Sequence, residues 1–252
     1  MFEGEDIEKP DKHEILPQPP VDLRSVLEKG EIARVERLQG FPDVSLVDIK
    51  DDGQALFKVS TDEFVEIRSK IFSRADTELL MAELDQILGF NLVPPVVSRE
   101  IHGKKGVLQQ LMEARPVEMP DEYQLPDLVG WSDLVDIEEI SKAAVFDYIV
   151  GAKDRHGGNF LIDIPRKKVW LIDHDYLMFF QELGYGSDLI RAALNKDAAH
   201  ISDQVKYSLK NLLDAIEGLF IRFPSKTTKM LLSGVKDRTE ELLRTSQIPN
   251  LI

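Results

Sequence analysis

From residue 33 to residue 59 the apolar positions fall in short, partly alternating runs. ARVERL, SLVDI and QALFKV predict three β-strands. The turn-rich QGFPD separates the first two, and the Asp-Gly of KDDG predicts a hairpin between the second and third. Over residues 75–88 the period changes. Leu80, Leu84, Ile87 and Leu88 recur at helical spacing, and Gly89 follows as a C-terminal stop. VPPVVSREI and VLQQLME predict two further strands joined by the glycine-bearing turn HGKKG. After a loop rich in proline and acid at 115–136, helix dominates in EEISKAAVFDYIVGA, DQVKYSLKNLLDAIEGLFIRF and TKMLLSGVKDRTEELLRT. The exception is NFLIDI-PRKK-VWLID, two apolar strands around a basic turn.

A sheet-rich part with one main helix, followed by a mostly helical part, predicts an α+β protein of two lobes with a cleft between them. Residues 1–22 mix acids with Pro10, Pro17, Pro19 and Pro20 and show no apolar period, so they are expected to form a flexible acidic arm. Residues 23–113 would then make the first lobe and 114–252 the second. Trp131 and Trp170 are expected in the core.

Composition narrows the function classes. The chain has 252 residues, 43% of them hydrophobic, enough to close a core. It has no cysteine, which excludes disulfides, thiol nucleophiles and Cys-ligated zinc. Against 31 Lys and Arg stand 45 Asp and Glu, a formal charge of −14, which would repel nucleic acid and anionic lipid on average. No apolar run approaches the roughly 20 residues of a membrane span, and the acidic start MFEGEDIEKPDKHE is unlike a signal peptide. The expectation is a cytoplasmic protein with no nucleic-acid partner and no stable membrane association.

The densest cluster of chemically active side chains is KDRHGGNFLIDIPRKKVWLIDHD, residues 153–175. Asp154 and Asn159 are separated by four residues, and Asp173 follows after the hairpin. Asp154 or Asn159 alone is an ordinary turn residue, because turns favour side chains that bond their own backbone. Asp173 is harder to dismiss, since it ends an apolar strand where an unpaired carboxylate would be costly to bury. In protein kinases the same order and spacing serve phosphoryl transfer. One Asp faces the acceptor hydroxyl, the Asn holds a metal ion, and the later Asp closes on the metals that bridge the phosphates. Magnesium needs only a few protein oxygens beside phosphate and water.

The stretch DYIVGAKDRHGGNFLI…VWLIDHD resembles the catalytic core of phosphatidylinositol 3-/4-kinase-like enzymes, whose signature is D-R-H-x-x-N followed by an I-D-[HF]-G metal motif. It is also similar to the HipA-type bacterial kinases. The resemblance extends more loosely over residues 33–195 and implies a two-lobed protein-kinase-like fold using ATP and Mg2+. It implies that Asp154 is the catalytic-loop carboxylate, with Asn159 and Asp173 as metal ligands and His156 lining the site. Arg155 would serve structure or function, pairing with a nearby acid. Where the family has Gly after Asp-His, this chain has Asp175, either a third carboxylate near the metals or a solvated acid.

A kinase also needs a strand lysine for the phosphates and a helix glutamate to hold it. Lys58 in ALFKV fits the first role. For the second, the resemblance favours Glu78. Helical angles put Glu78 on the polar sector with Asp85 and Gln86, and leave Glu83 beside the apolar stripe as a rival. QGFPDVS, with one glycine, would cover the phosphates. Leu111–Glu113 would form the hinge, its backbone bonding adenine and Met112 packing on the ring.

These readings favour an ATP- and Mg-dependent kinase acting on a hydroxyl of a protein, itself included, or of a small alcohol. An inositol lipid is disfavoured because residues 176–190 contain no Lys or Arg. Transfer of a whole nucleotide is a variant of the same chemistry. The alternatives are a nucleotide-binding pseudokinase, and a metal-dependent hydrolase built on His156, Asp173, His174 and Asp175.

Overall fold

A computed structural model describes residues 22–41, 43–50, 53–60, 74–118, 129–152, 154–174 and 186–249. The expected acidic arm lies outside these residues except for Asp22, as do Asp175 and the tips of both early turns, Pro42 and Asp51–Asp52. Among the described residues, no helix is long and apolar enough to cross a membrane.

The three early strands form as read: β1 (Ile32–Arg37), β2 (Val44–Ile49) and β3 (Gly53–Val59), paired antiparallel in sequence. Gly53 takes φ +95°, the left-handed turn position that only glycine adopts without cost. β4 (Val96–Ile101) and β5 (Lys104–Gln110) close the sheet in the order β1-β2-β3-β5-β4. His102 and Gly103, both at positive φ, form the two-residue turn between β4 and β5. Lys104 and Lys105 of HGKKG are already strand.

Among the described residues, two α-helices and one β-strand escaped the sequence pattern. A two-turn helix α1 (Leu23–Lys29) is capped by the Asp22 carboxylate and packs on β4. Arg99 donates to the carbonyls of Leu27 and Gly30, satisfying groups at the helix end. Gly30 is required by space: a Cβ there would lie 2.5 Å from Ile49 Cγ2 and 2.6 Å from the Val26 carbonyl oxygen. The stretch read as loop at 115–136 contains a short strand β6 (Arg115–Pro116), which pairs with the later hairpin. A short helix after the hairpin is the third.

α2 (Arg74–Leu88) ends at Gly89, which takes φ +66°. α3 (Ile137–Val150) ends likewise at Gly151, at φ +71°. The hairpin is β7 (Phe160–Asp163) and β8 (Lys168–Leu171), giving a second sheet of order β6-β7-β8. α4 (Asp188–Asn195), the third missed element, is capped by Ser187. α5 (Asp203–Arg222) and α6 (Lys226–Thr245) are each capped by a serine, Ser202 and Ser225.

Two apolar clusters organise these elements. The smaller lies between α1 and one face of the five-stranded sheet, around Val47, Phe57, Val97 and Leu108. The larger joins α3, α5, α6 and the β7–β8 hairpin, and it also takes in Leu80, Met81, Leu84 and Leu88 of α2. So α2, read as the helix of the first lobe, packs on α5 and shares the core of the helical part. Trp131 is half-buried, edge-on to Phe160 at 4.9 Å. Trp170 is half-buried beneath the Lys168 ammonium.

Candidate active site

β3 is buried through Ala55 and Phe57, and strand alternation turns Lys58 to the opposite face. There its ammonium donates to Glu78 Oε1, with the two side chains 11% and 1% exposed. Helical angles set Glu78 and Asp85 on a polar sector, and in the structure both are buried. Glu78 faces Lys58, while the Asp85 carboxylate accepts the amides of Leu92 and Val93 at 3.0 Å each in the turn that leads to β4. Glu83, the rival partner for Lys58, pairs with Arg222 at the end of α5.

Burial alone would raise the Glu78 carboxyl. The Lys58 ammonium and a hydrogen bond from His174 outweigh it and hold the group well below the usual carboxylate range. Glu78 is therefore an anion, and His174 Nδ1, 3.0 Å from Oε2, must be the donor. Burial pushes the His174 imidazole below its ordinary value, only partly opposed by Glu78. A neutral ring carrying its proton on Nδ1 satisfies both conditions. Deleting one partner of the Lys58–Glu78 pair would strand a charge in a nearly dry site, at a cost of about 3–5 kcal/mol.

The D-R-H-x-x-N loop is organised by its arginine. Arg155 is 2% exposed; Nε donates to Asp147 Oδ1 on α3 at 3.1 Å, and Nη1 donates to the carbonyls of Asn159 and Ile172 at 2.7 Å each. The Arg155 carbonyl in turn accepts the Asp188 amide, and Ser187 Oγ donates to Asp147 Oδ2 at 2.6 Å. The Arg155 side chain thus ties together α3, the loop and the end of β8, and its carbonyl, with Asp147, adds the start of α4. Its role is structural, pairing with the buried acid.

Backbone ties link the segments that carry Asp154, Asn159 and Asp173. The Ile172 amide donates to the Asn159 carbonyl, which brings Asp173 beside Asn159. Asn159 Nδ2 donates to the Asp154 carbonyl at 2.7 Å, tying the asparagine back to the start of its loop. Asp154 and Asn159 are half-buried and Asp173 is exposed. Asp173 lies two residues past the end of β8 at φ +54°, so its carboxylate is not the buried strand-end group the sequence suggested. The buried side chain there is His174.

The remaining sequence candidates are more local. His156 is half-exposed, with Nδ1 accepting the Gly158 amide at 3.1 Å and lying 3.3 Å from Glu118 Oε2. Of the four residues of the hydrolase reading, Asp175 lies outside the described residues, His174 turns to Glu78 and His156 to Glu118. Among the described residues, no group of three or more His, Asp or Glu could hold a metal. In the QGFPDVS loop the amides of Phe41 and Val44 donate to the Leu38 and Phe41 carbonyls, so those two are not offered to phosphate. At the expected hinge Leu111 donates to the Gln54 carbonyl, so that amide is committed within the sheet and not offered to adenine. Met112 is half-buried, and its carbonyl accepts the Ala114 amide.

The donor set suits Mg2+. Because Asn159 spends its amide NH2 on a carbonyl, its Oδ1 is left as an acceptor, and Asp173 offers carboxylate oxygens.

A five-stranded antiparallel sheet, a helix glutamate on a strand lysine and a hairpin flanked by Asn and Asp define a protein-kinase-like fold. Residues 100–200 match the family model of phosphatidylinositol 3- and 4-kinase. The Golgi casein kinase has the same fold: its structure superposes with a TM-score of 0.55 at 15% identity, covering 88% of this chain and 74% of that one. A form of it with Mn and ADP bound gives 0.54 at 14% identity over the same shares. HipA of Shewanella oneidensis MR-1, solved with HipB and operator DNA, aligns at 0.43 and 11% identity over 84% of this chain and 68% of that one, too distant to add to the case. No protein in a search of curated proteins matches the chain.

Proposed function

We propose that the protein is an ATP- and Mg2+-dependent kinase that transfers the γ-phosphate to a hydroxyl. The observation that carries this reading is the buried Lys58–Glu78 pair, whose glutamate is held on its other oxygen by the residue after Asp173. A solvated strand-end lysine would not be built in this way. The fold's likeness to a kinase solved with Mn and ADP supports a nucleotide with a divalent metal as the ligand.

Asn159 and Asp173 hold Mg2+, which neutralises the charge of the triphosphate. Lys58 binds phosphate oxygens, and Glu78 keeps its ammonium aimed. Asp154 accepts the hydrogen bond of the acceptor hydroxyl and orients it in line. His156 lines the acceptor side. Residues 23–113 and 114–252 act as the two lobes and Met112 stands at the hinge. The acceptor is a protein Ser/Thr or a small alcohol. A chain of net charge −14 with no cation at 176–190 is poorly suited to an anionic headgroup. No nucleic acid or membrane is needed, and the reaction belongs in the cytoplasm.

Incubation with ATP labelled separately at the α and γ positions, read by intact mass and by label transfer, tests the proposal. The γ label alone should move, and Asp154→Ala and Asp173→Ala should lower transfer by roughly 10²–10⁴-fold with the fold intact. Equal turnover in wild type and both variants refutes the assignment, and movement of the α label replaces it with nucleotide transfer.

A further inference from the structure

His174 is 1% exposed and directly follows Asp173, three residues past the end of β8. Its ring stands edge-on to Phe146, with centroids 6.4 Å apart, and its Nδ1–H reaches Glu78 Oε2, 96 positions away in the chain. Each oxygen of the Glu78 carboxylate is thereby held by a different segment, Oε1 by Lys58 of β3 and Oε2 by His174 beyond β8. Asp173, between Ile172 and His174, has a left-handed backbone that a non-glycine residue keeps only when its neighbours are fixed. On one side Arg155 and Asn159 fix Ile172 through its carbonyl and amide. On the other side the bond to Glu78 fixes His174.

We propose that His174 is a positioning residue that couples the metal-binding carboxylate of Asp173 to the phosphate-binding ammonium of Lys58. It acts through Glu78, so neither group can shift without the other. The inference rests on the kinase reading and deepens it. It assigns His174 no contact with nucleotide, metal or acceptor. Its consequence is linkage: Mg2+ binding at Asp173 favours the Glu78 orientation that presents Lys58, and so raises nucleotide affinity beyond direct charge neutralisation.

Three substitutions separate this role from packing. His174→Phe keeps a ring against Phe146 and removes the donor. His174→Asn places an amide where Nδ1 stands, whereas His174→Gln places one where Nε2 stands. Mg·ADP binding by calorimetry across a Mg2+ series, kcat and KM for ATP, and thermal stability are measured together. The expected result is a rise of roughly tenfold or more in half-saturating Mg2+ and in the ADP dissociation constant for His174→Phe and His174→Gln. His174→Asn should recover to within about threefold, and adding His174→Phe to Glu78→Gln should cost little further. In the wild-type protein, long-range 1H–15N correlation should show the ring proton on Nδ1.

Mg2+ and nucleotide constants of His174→Phe that match wild type, whatever happens to its melting temperature, overturn the proposal and leave the kinase reading standing. If His174→Phe does not fold, the Asn and Gln variants decide, and equal constants for the two overturn it. A wild-type protein that binds no nucleotide at any Mg2+ concentration overturns both.

Discussion

The ionisation of Asp85 is set by where its carboxyl is held. Burial raises its pKa to about 6, against the pull of the Val93 and Leu92 amides that it accepts. Because the folded value lies above the unfolded one, this group's contribution to stability is greatest at low pH. It falls as pH rises from about 4 through about 6, then levels off. Glu78 works in the opposite sense: its folded pKa is depressed, so its contribution is present above the ordinary carboxylate value and is lost on acidification. A 13C carboxyl titration should place the Asp85 midpoint near 6, and Asp85→Asn should remove the matching slope from stability measured between pH 4 and 7. A midpoint near that of a free aspartate would mean the carboxyl is solvated.

Among the elements, β3 and β5 show how closely the site depends on its scaffold. Lys58 pairs with Val107 across these strands, and next to it lies Gly106 opposite Val59. A Cβ on Gly106 would sit 2.3 Å from the Lys58 carbonyl oxygen and 2.8 Å from the Phe57 ring. Gly106→Ala should therefore force β5 away from β3, destabilise by about 1–3 kcal/mol in urea unfolding, and weaken nucleotide binding through Lys58. Stability and binding equal to wild type would show that the strands can separate freely. The strands themselves were legible from alternation and turn residues, because a half-exposed sheet writes its period into the sequence. α1, α4 and β6 were not, since two helical turns or two paired residues carry too few positions to show a period. α2 was legible as a helix, but its buried acids were misplaced. An angular plot scores Glu78 and Asp85 as polar and has no means of knowing that Lys58, His174 and two backbone amides wait for them.

At the scale of the whole molecule, the packing of α2 on α5 joins the sheet to the helical part. Leu84 is fully buried in the larger core, and Glu83 reaches Arg222 on α5. Leu84→Ala should cost about 2–5 kcal/mol and lower the opening free energies of β3 and α5 amides together in native-state hydrogen exchange. Loss of protection in α5 alone would show that the sheet stands by itself. Period, turn chemistry and the D-R-H-x-x-N spacing followed from the sequence by itself, because each depends on residues a few positions apart. Tertiary structure alone decided which glutamate meets Lys58, that Asp173 is exposed and His174 buried, and that one arginine ties four segments together. These depend on partners 20 and 96 positions distant, and only the folded core determines which distant groups share a dry space and must satisfy one another.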